Sequence, residues 1–458
     1  MSQSPLALIP QPSFIEQTPG RSTVSEITLL PKSGRDLGPE GYELVVTPES
    51  ITLSSATAAG EFYGKITLGQ LRDKDGSLPC VRIVDQPRFA WRHLMIDTAR
   101  HFFTKQELLH YLDVMAEHKF NVFHWHLNDT QAWRLEIKRY PKLCSIGAWR
   151  EKIEWGLDPN SSRAWNEKGQ YGGFYTQDDV REIVAYAAKL HIKVLPEIEM
   201  PGHSRGGLLA HPEFSCNGTG QSGVYCAGNE GTFEFLEHIL DEVFELFPSE
   251  FIHIGADEVP KEPWKECPKC QARMKSEKLG SEDELQSYFV RRMEKYLNAH
   301  GRRLVGWDEI LEGGLAPNAT VMSWRGMGGG IAAAKAGHDV VMSPTSHCYF
   351  DLYQAKEGQP LALGGYVPLE TVYQFEPVSE EIPADQRHHV LGGGGNLWTE
   401  FIPNYGHLMY MTYPRACALA ETLWSPVKTR DWQNFKLRLA THCERLHKMG
   451  VLYARTIG

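Results

Sequence analysis

Residues 251–260 read Phe-Ile-His-Ile-Gly-Ala-Asp-Glu-Val-Pro, a short apolar run with β-branched residues that ends in two adjacent carboxylates, Asp257 and Glu258. A buried strand of a parallel sheet is apolar along its length. Acids at its end are therefore either solvated rim residues or groups placed to act on a ligand. Similar runs recur at His93–Ile96, Asn121–Leu127, Lys193–Ile198, Arg303–Gly306, Thr320–Ser323, Asp339–Met342 and Asn396–Leu397. The spacers between them include Lys105–His118, Asp179–Leu190, Phe233–Phe247 and Glu284–Ala299. Their apolar residues recur at three and four, as Phe235, Ile239, Val243 and Phe244 do. Strands and helices alternating in this way predict an α/β fold, a (βα)8 TIM barrel.

Ahead of the barrel lie strand-like pieces at Glu43–Thr47, Ser50–Leu53 and Val81–Val84, with an Ala- and Gly-rich stretch of helical spacing at Ala56–Leu71. They predict a small N-terminal α+β accessory domain over residues 1–88. The turn-prone Asp85-Gln-Pro-Arg-Phe89 sets the start of the barrel, residues 89–458.

Of the 458 residues, 42% are hydrophobic and 23% charged, an ordinary globular balance, and no apolar stretch reaches the ~18 residues of a membrane span. A net charge of −10 without Lys/Arg blocks argues against a nucleic-acid partner. The first residues lack the basic start of a secretory signal, so the expected compartment is the cytoplasm, or the periplasm or exterior if a signal has been removed. Nine cysteines are too sparse for a disulfide scaffold. Cys267-Pro-Lys-Cys270 has zinc-ribbon spacing but lacks a second pair nearby, and Cys216 and Cys226 would have to complete a site. Free thiols, a Cys216–Cys226 disulfide and zinc all remain open.

The residues just past each strand are Asp97, Asp129, Glu199, Asp257-Glu258, Trp307-Asp308-Glu309, Trp324-Arg325, Tyr349 with Asp351, and Trp398 with Glu400. Barrel active sites form at these C-terminal strand ends. Helix capping accounts for single acids but not for the tryptophans. Rings beside carboxylates suit a sugar, whose C–H faces pack on indole while its hydroxyls bond to acids. His124, His126 and His203 are weighed as metal ligands, but the first two lie inside a strand, so core or supporting roles are expected, with no catalytic metal and no cofactor. Most glycosidases set two carboxyls on opposite sides of the anomeric carbon. Neighbours such as Asp257 and Glu258 are poorly placed for that.

His253-Ile-Gly-Ala-Asp257-Glu258 resembles the His-x-Gly-Gly-Asp-Glu signature of family 20 glycoside hydrolases, the β-N-acetylhexosaminidases. Further matches follow in the family's order: Trp91-Arg92-His-Leu-Met-Ile-Asp97-Thr-Ala-Arg-His101, His124-Trp-His-Leu-Asn-Asp129-Thr-Gln-Ala-Trp133-Arg134, Pro196-Glu-Ile-Glu199-Met-Pro-Gly-His203, Gly306-Trp307-Asp-Glu309 and Asn396-Leu-Trp398-Thr-Glu400. The resemblance spans roughly residues 40 to 425. It implies an exo-acting, retaining enzyme that releases terminal GlcNAc or GalNAc from glycans through the substrate's own acetamide, an exception to the two-carboxylate scheme. It further implies Glu258 as general acid and base, Asp257 orienting the acetamide N–H, and Tyr349 bonding its carbonyl. His203, backed by Glu199, would tune Glu258. Trp307, Trp324 and Trp398 would wall the acetamide pocket, and Arg92, Asp129, Asp351 and Glu400 would hold hydroxyls. Asp97, Asp308 and Glu309 are expected to be structural.

A lacto-N-biosidase-type activity and a non-catalytic N-acetylhexosamine-binding barrel are the alternatives. Departures from the family pattern are Ala256 for glycine, one acid in Asn128-Asp129-Thr130, Glu199 for aspartate, His93 for glycine and a short N-terminal unit. Two loops are expected to set specificity. Trp149–Tyr175 carries Trp155, Trp165 and Tyr171, and Thr345–His389 carries Tyr353 and Tyr373. The glycine run Gly392–Gly395 is expected just before the last strand.

Overall fold

The computed structural model describes residues 6–31, 36–151 and 168–455. Strands Trp91–Asp97, Val122–His126, Lys193–Glu197, Phe251–His253, Arg303–Trp307, Thr320–Ser323, Val340–Met342 and Val390–Leu397 close into a parallel barrel, the last pairing with the first from Gly392–Trp91 to Leu397–Ile96. Helices Lys105–Glu117 and Gln177–Lys189 each start at a capping box, Thr104 with Glu107 and Thr176 with Asp179, which satisfies N–H groups the first turn leaves bare.

Strand alternation sorts the interior into layers. Val122, Leu195, Val305 and Val341 join Trp91 in an apolar floor. Above it come His93, His124, Glu197, His253 and Trp307, all fully or almost fully buried. The glycine run lies inside the last strand, not before it. A Cβ on Gly394 would stand 2.1 Å from the His93 ring and one on Gly395 2.7 Å from Phe350, so glycine is what lets these rings pack against the strand.

The N-terminal unit is a five-stranded sheet, Phe14–Ser22, Leu78–Asp85, Tyr42–Val46, Ile51–Ser55 and Ile27–Leu30 in spatial order, with helix Ala58–Leu71 against it. The strands Phe14–Ser22 and Ile27–Leu30 at its edges are largely exposed and carry no apolar alternation, which is why the sequence pattern does not reveal them. We propose residues 1–88 and 89–458 as the two units of the chain, joined through a buried ionic seam at the N-terminal ends of the barrel strands. In that seam Asp85 accepts from Tyr42 Oη at 2.7 Å, Lys119 Nζ at 3.0 Å and Trp424 Nε1 at 2.9 Å, all fully or nearly fully buried.

Removing one partner of a buried, hydrogen-bonded ion pair leaves the other charge uncompensated. Asp85→Ala is expected to destabilise the chain by about 3–5 kcal/mol, read by denaturant unfolding. A loss under about 1 kcal/mol would mean that Lys119 is solvated or neutral here.

Candidate active site

The fourth barrel strand stops at His253, and the next residues do not continue it. Gly255, Ala256 and Glu258 all take left-handed backbone angles, φ +67°, +67° and +44°. For a non-glycine residue this costs about 1–2 kcal/mol, and such strain concentrates at functional sites. The turn separates the two acids. Asp257 points inward and is buried, while the Glu258 side chain is 61% exposed at the mouth. Ala256, where the resembling signature has glycine, is thus one of the strained positions.

His203, also left-handed at φ +47°, faces both acids, its Nε2 3.6 Å from Asp257 and 3.5 Å from Glu258. Its other nitrogen lies 3.1 Å from Asp129, not against Glu199. The expected Glu199–His203 pair is therefore corrected: both Glu199 carboxyl oxygens lack a hydrogen-bond partner among the described residues, and Glu199 presses on Gly255, where a Cβ would lie 1.8 Å from its Oε2. Burial, with Asp257 and Glu197 adding to it, holds Glu199 well above the ordinary carboxyl range.

Arg92 also moves out of the site. It is the second residue of its strand, at the end away from the bowl, bonded to Glu40 at 2.8 Å and packed over Trp424. The arginine that reaches the bowl is Arg100, beyond the same strand's C-terminus. Its guanidinium lies 3.2 Å from Asp97, 2.9 Å from Asp129 and 3.7 Å from Glu400, over the face of Trp398. The motif contains both arginines, and only their position relative to strand-end Asp97 distinguishes them.

Trp307 and Trp398 lie 5.8 Å apart, and Trp324 stacks on Tyr349 at 6.0 Å. The Trp307 indole donates to Glu197 at 2.8 Å, the Trp324 indole to Glu309 at 2.9 Å. Asp351 is buried with neither oxygen bonded among the described residues, and Asp257 Oδ1 is likewise unpartnered. Buried polar atoms without partners mark where a polar ligand would complete the network. A cavity of about 280 Å³ opens beside Glu258, lined by Trp324, Arg325 and Lys261. Asp308 binds Arg325 and the backbone of Trp324, and Asp97 the backbone of Ala99, Arg100 and Thr399, as structural acids do.

His124 and His126 are supporting residues. Both bond to Glu197, at 2.8 and 2.7 Å, and His126 bonds on to Asp129 at 2.9 Å. Burial alone would lower His126, but Glu197 and Asp129 outweigh it and lift it to about 10. Glu197 itself was not singled out by the sequence pattern, because it sits inside an apolar run. Of the expected loop aromatics, Tyr171, Tyr175 and Tyr373 are buried, bonded to Phe102 N, Phe103 O and Glu421, so they pack the loops rather than face a ligand. Trp155 and Trp165 lie outside the described residues.

The bowl carries more acids than cations. Burial raises Asp257, Asp351 and Glu400, each further raised by neighbouring carboxylates and only partly offset by arginine or His203. Glu258 goes the other way: the His203 imidazole, 3.5 Å from its carboxylate, lowers it despite partial burial.

A closed (βα)8 barrel with this ring of acids and indoles at its C-terminal face defines the class, a glycoside-hydrolase barrel. Residues 89–427 match the catalytic domain of glycosyl hydrolase family 20 and residues 9–86 its domain 2, and the chain belongs to that family. It is 45% identical to a beta-hexosaminidase of Porphyromonas gingivalis, over 90% of this chain and 54% of that protein. A beta-hexosaminidase of Akkermansia muciniphila is 33% identical over 95% and 89%. The solved exo beta-N-acetylglucosaminidase of Vibrio harveyi, in complex with N-acetylglucosamine, superposes with a TM-score of 0.88 at 32% identity, covering 98% of this chain and 78% of that one. The chain thus spans about half the length of the Porphyromonas gingivalis relative.

Glu309 supplies a pH test. Burial, reinforced by Asp257, raises its carboxyl to about 8. Between pH ~4.5 and about 8 the unfolded chain ionises this group while the folded chain keeps its proton, so stability falls with rising pH across that window. Glu309→Gln removes this dependence. The stability of wild type relative to the variant should decline from pH 4.5 to 8 and level off above, and parallel curves would refute the raised value.

Proposed function

We propose that this chain is an exo-acting, retaining β-N-acetylhexosaminidase that removes terminal non-reducing GlcNAc or GalNAc from glycans and glycoconjugates. The observation that carries this reading is the pair of neighbouring acids parted by one strained turn, Asp257 buried and Glu258 exposed. That geometry suits a proton donor beside an acetamide-orienting group, with the nucleophile supplied by the sugar.

In this mechanism Glu258 protonates the glycosidic oxygen as the acetamide oxygen attacks C1, and the leaving alcohol departs from an oxazolinium ion. Asp257 accepts the acetamide N–H and faces the developing positive charge, which reverses the electrostatics that raise it in the free protein. Tyr349 donates to the acetamide carbonyl. Water then attacks C1 while the Glu258 carboxylate takes its proton, and the two inversions give retention. Holding the acetamide at attack distance replaces a bimolecular encounter. Glu258 starts ionised beside His203; a sugar that covers it removes its water and raises its proton affinity toward that of a working acid.

Trp307, Trp324 and Trp398 provide apolar walls around the acetamide, and Arg100, Asp129, Asp351 and Glu400 provide grips for the hydroxyls. Arg100 is held in place among Asp97, Asp129 and Glu400, which supports its reading as a grip on the terminal sugar. The excess of acids suits a cationic intermediate.

Glu258→Gln should lower kcat on an unactivated glycoside by about 10²–10⁴-fold. Asp257→Asn should lower kcat on N-acetylhexosaminides. Aryl β-GlcNAc or β-GalNAc should turn over and aryl β-glucoside, which lacks the acetamide, should not. Comparable glucoside hydrolysis, or unchanged turnover by both variants, would sink the mechanism.

A further inference from the structure

Four of the nine cysteines, two pairs distant from each other in sequence, converge on one point. Cys216 and Cys226 come from the long loop after the third barrel strand, and Cys267 and Cys270 from the segment after the fourth. Cys216 Sγ lies 3.8 Å from Cys270 Sγ, and Cys226 Sγ lies 3.7 Å from both Cys267 and Cys270. No pair approaches the ~2.0 Å of a disulfide. In a regular tetrahedron with metal–sulfur bonds of ~2.3 Å, the edges are about 3.8 Å.

We infer that these four residues form a structural tetrathiolate zinc site. Cys226, Cys267 and Cys270 are buried and Cys216 partly so, which leaves no open position for substrate or a reactive water and matches a closed structural site. Cys267 caps helix Pro268–Glu277 without a side-chain hydrogen bond, and Cys270 lies in its first turn, where the helix dipole favours anionic sulfur. The surrounding chain is shaped to bring the pairs together. Gly228 approaches so closely that a Cβ there would stand 2.1 Å from the Lys269 carbonyl carbon, and Trp264 Nε1 donates to Tyr225 O at 2.9 Å.

Packed free thiols are the competing reading. Two thiols in contact would also sit at such distances, so the observation that favours a metal is that all four sulfurs lie within 4.8 Å of one another around one point. Zinc binding forms four Zn–S bonds, releases to solvent the protons the thiols carry, and involves no oxidation. The metal would tie the loop that carries His203 to the segment that carries Asp257 and Glu258, two stretches already in contact where a Cβ on Gly202 would lie 3.0 Å from Asp257 O.

The test is metal analysis of the full chain, expressed with zinc and purified without chelator. One zinc per chain is expected by mass spectrometry, together with all nine thiols titrating in denaturant with EDTA and no reductant. Cobalt substitution should give the intense tetrahedral d–d and sulfur-to-cobalt bands of a thiolate site. Cys270→Ser should lose the metal. Should that variant fail to fold, Cys216→Ser, at the least buried ligand, should remain folded by circular dichroism and lose or weaken zinc retention. A folded wild type that takes up no zinc on dialysis, iron in its place, fewer than nine thiols, or undiminished zinc in folded Cys216→Ser would each overturn the inference.

Discussion

The Glu197 carboxylate, fully buried in the barrel, is the constraint on which the catalytic end depends. Three ring nitrogens hydrogen-bond to it, His124 at 2.8 Å, His126 at 2.7 Å and Trp307 at 2.8 Å, and the His253 ring packs against it with Nδ1 at 3.0 Å. An isolated buried carboxylate would be prohibitive, and only this saturation makes it tolerable. Each partner then hands on its position. Trp307 is fixed 5.8 Å from Trp398, His253 ends the strand from which Asp257 and Glu258 emerge, and His126 reaches Asp129. Asp129 in turn orients Arg100 on one side and His203 on the other, and His203 meets Glu258. A polar path thus runs from the barrel core to the proposed acid.

This path also decides who is charged. Burial pushes Asp257, Asp351, Glu199 and Glu400 toward the neutral form, whereas close cations hold Asp129 and Glu258 down. Asp129, at 2.9 Å from Arg100 and 3.1 Å from His203, stays well below the ordinary range, whereas Glu199, 3.9 Å from His126, and Asp351 go well above it. The site is therefore neither uniformly anionic nor uniformly protonated. It holds reserve acidity that a cationic sugar intermediate would draw out, because a positive charge at the centre favours the ionised form of every carboxyl around it.

The barrel was legible in the sequence because strand and helix periodicities are local, and acids and indoles at strand ends are visible without knowing any contact. What was not legible depended on contacts between distant residues. Arg92 and Arg100 share one motif, and only the observed strand boundary shows which faces the bowl. Glu199 keeps the motif position next to His203, yet Asp129 takes the bond. Glu197 is hidden by its own strand, since an acid inside an apolar run gains its meaning from three histidines on two other strands. The cysteines differ in degree: the sequence names Cys216 and Cys226 as the partners that Cys267 and Cys270 would need but leaves open zinc, a disulfide or free thiols, and only the fold shows Cys216, 54 residues before Cys270, within 3.8 Å of it.

Strain in the turn after His253 persists only because its neighbours over-determine it. Gly255 N donates to His253 Nδ1 at 3.0 Å, the Ala256 carbonyl accepts from Gln286 at 2.8 Å, and Glu199 fills the space a side chain on Gly255 would need. A turn braced on three sides has little freedom to bring Glu258 to a substrate by backbone movement. In the proposed function, entry of a sugar would still change the solvent around the exposed Glu258 side chain. In the proposed mechanism, proton affinity rather than position is then the quantity that substrate binding would adjust at this residue, and His203, 3.5 Å away with Nε2 unbonded among the described residues, can follow that change without disturbing the network behind it.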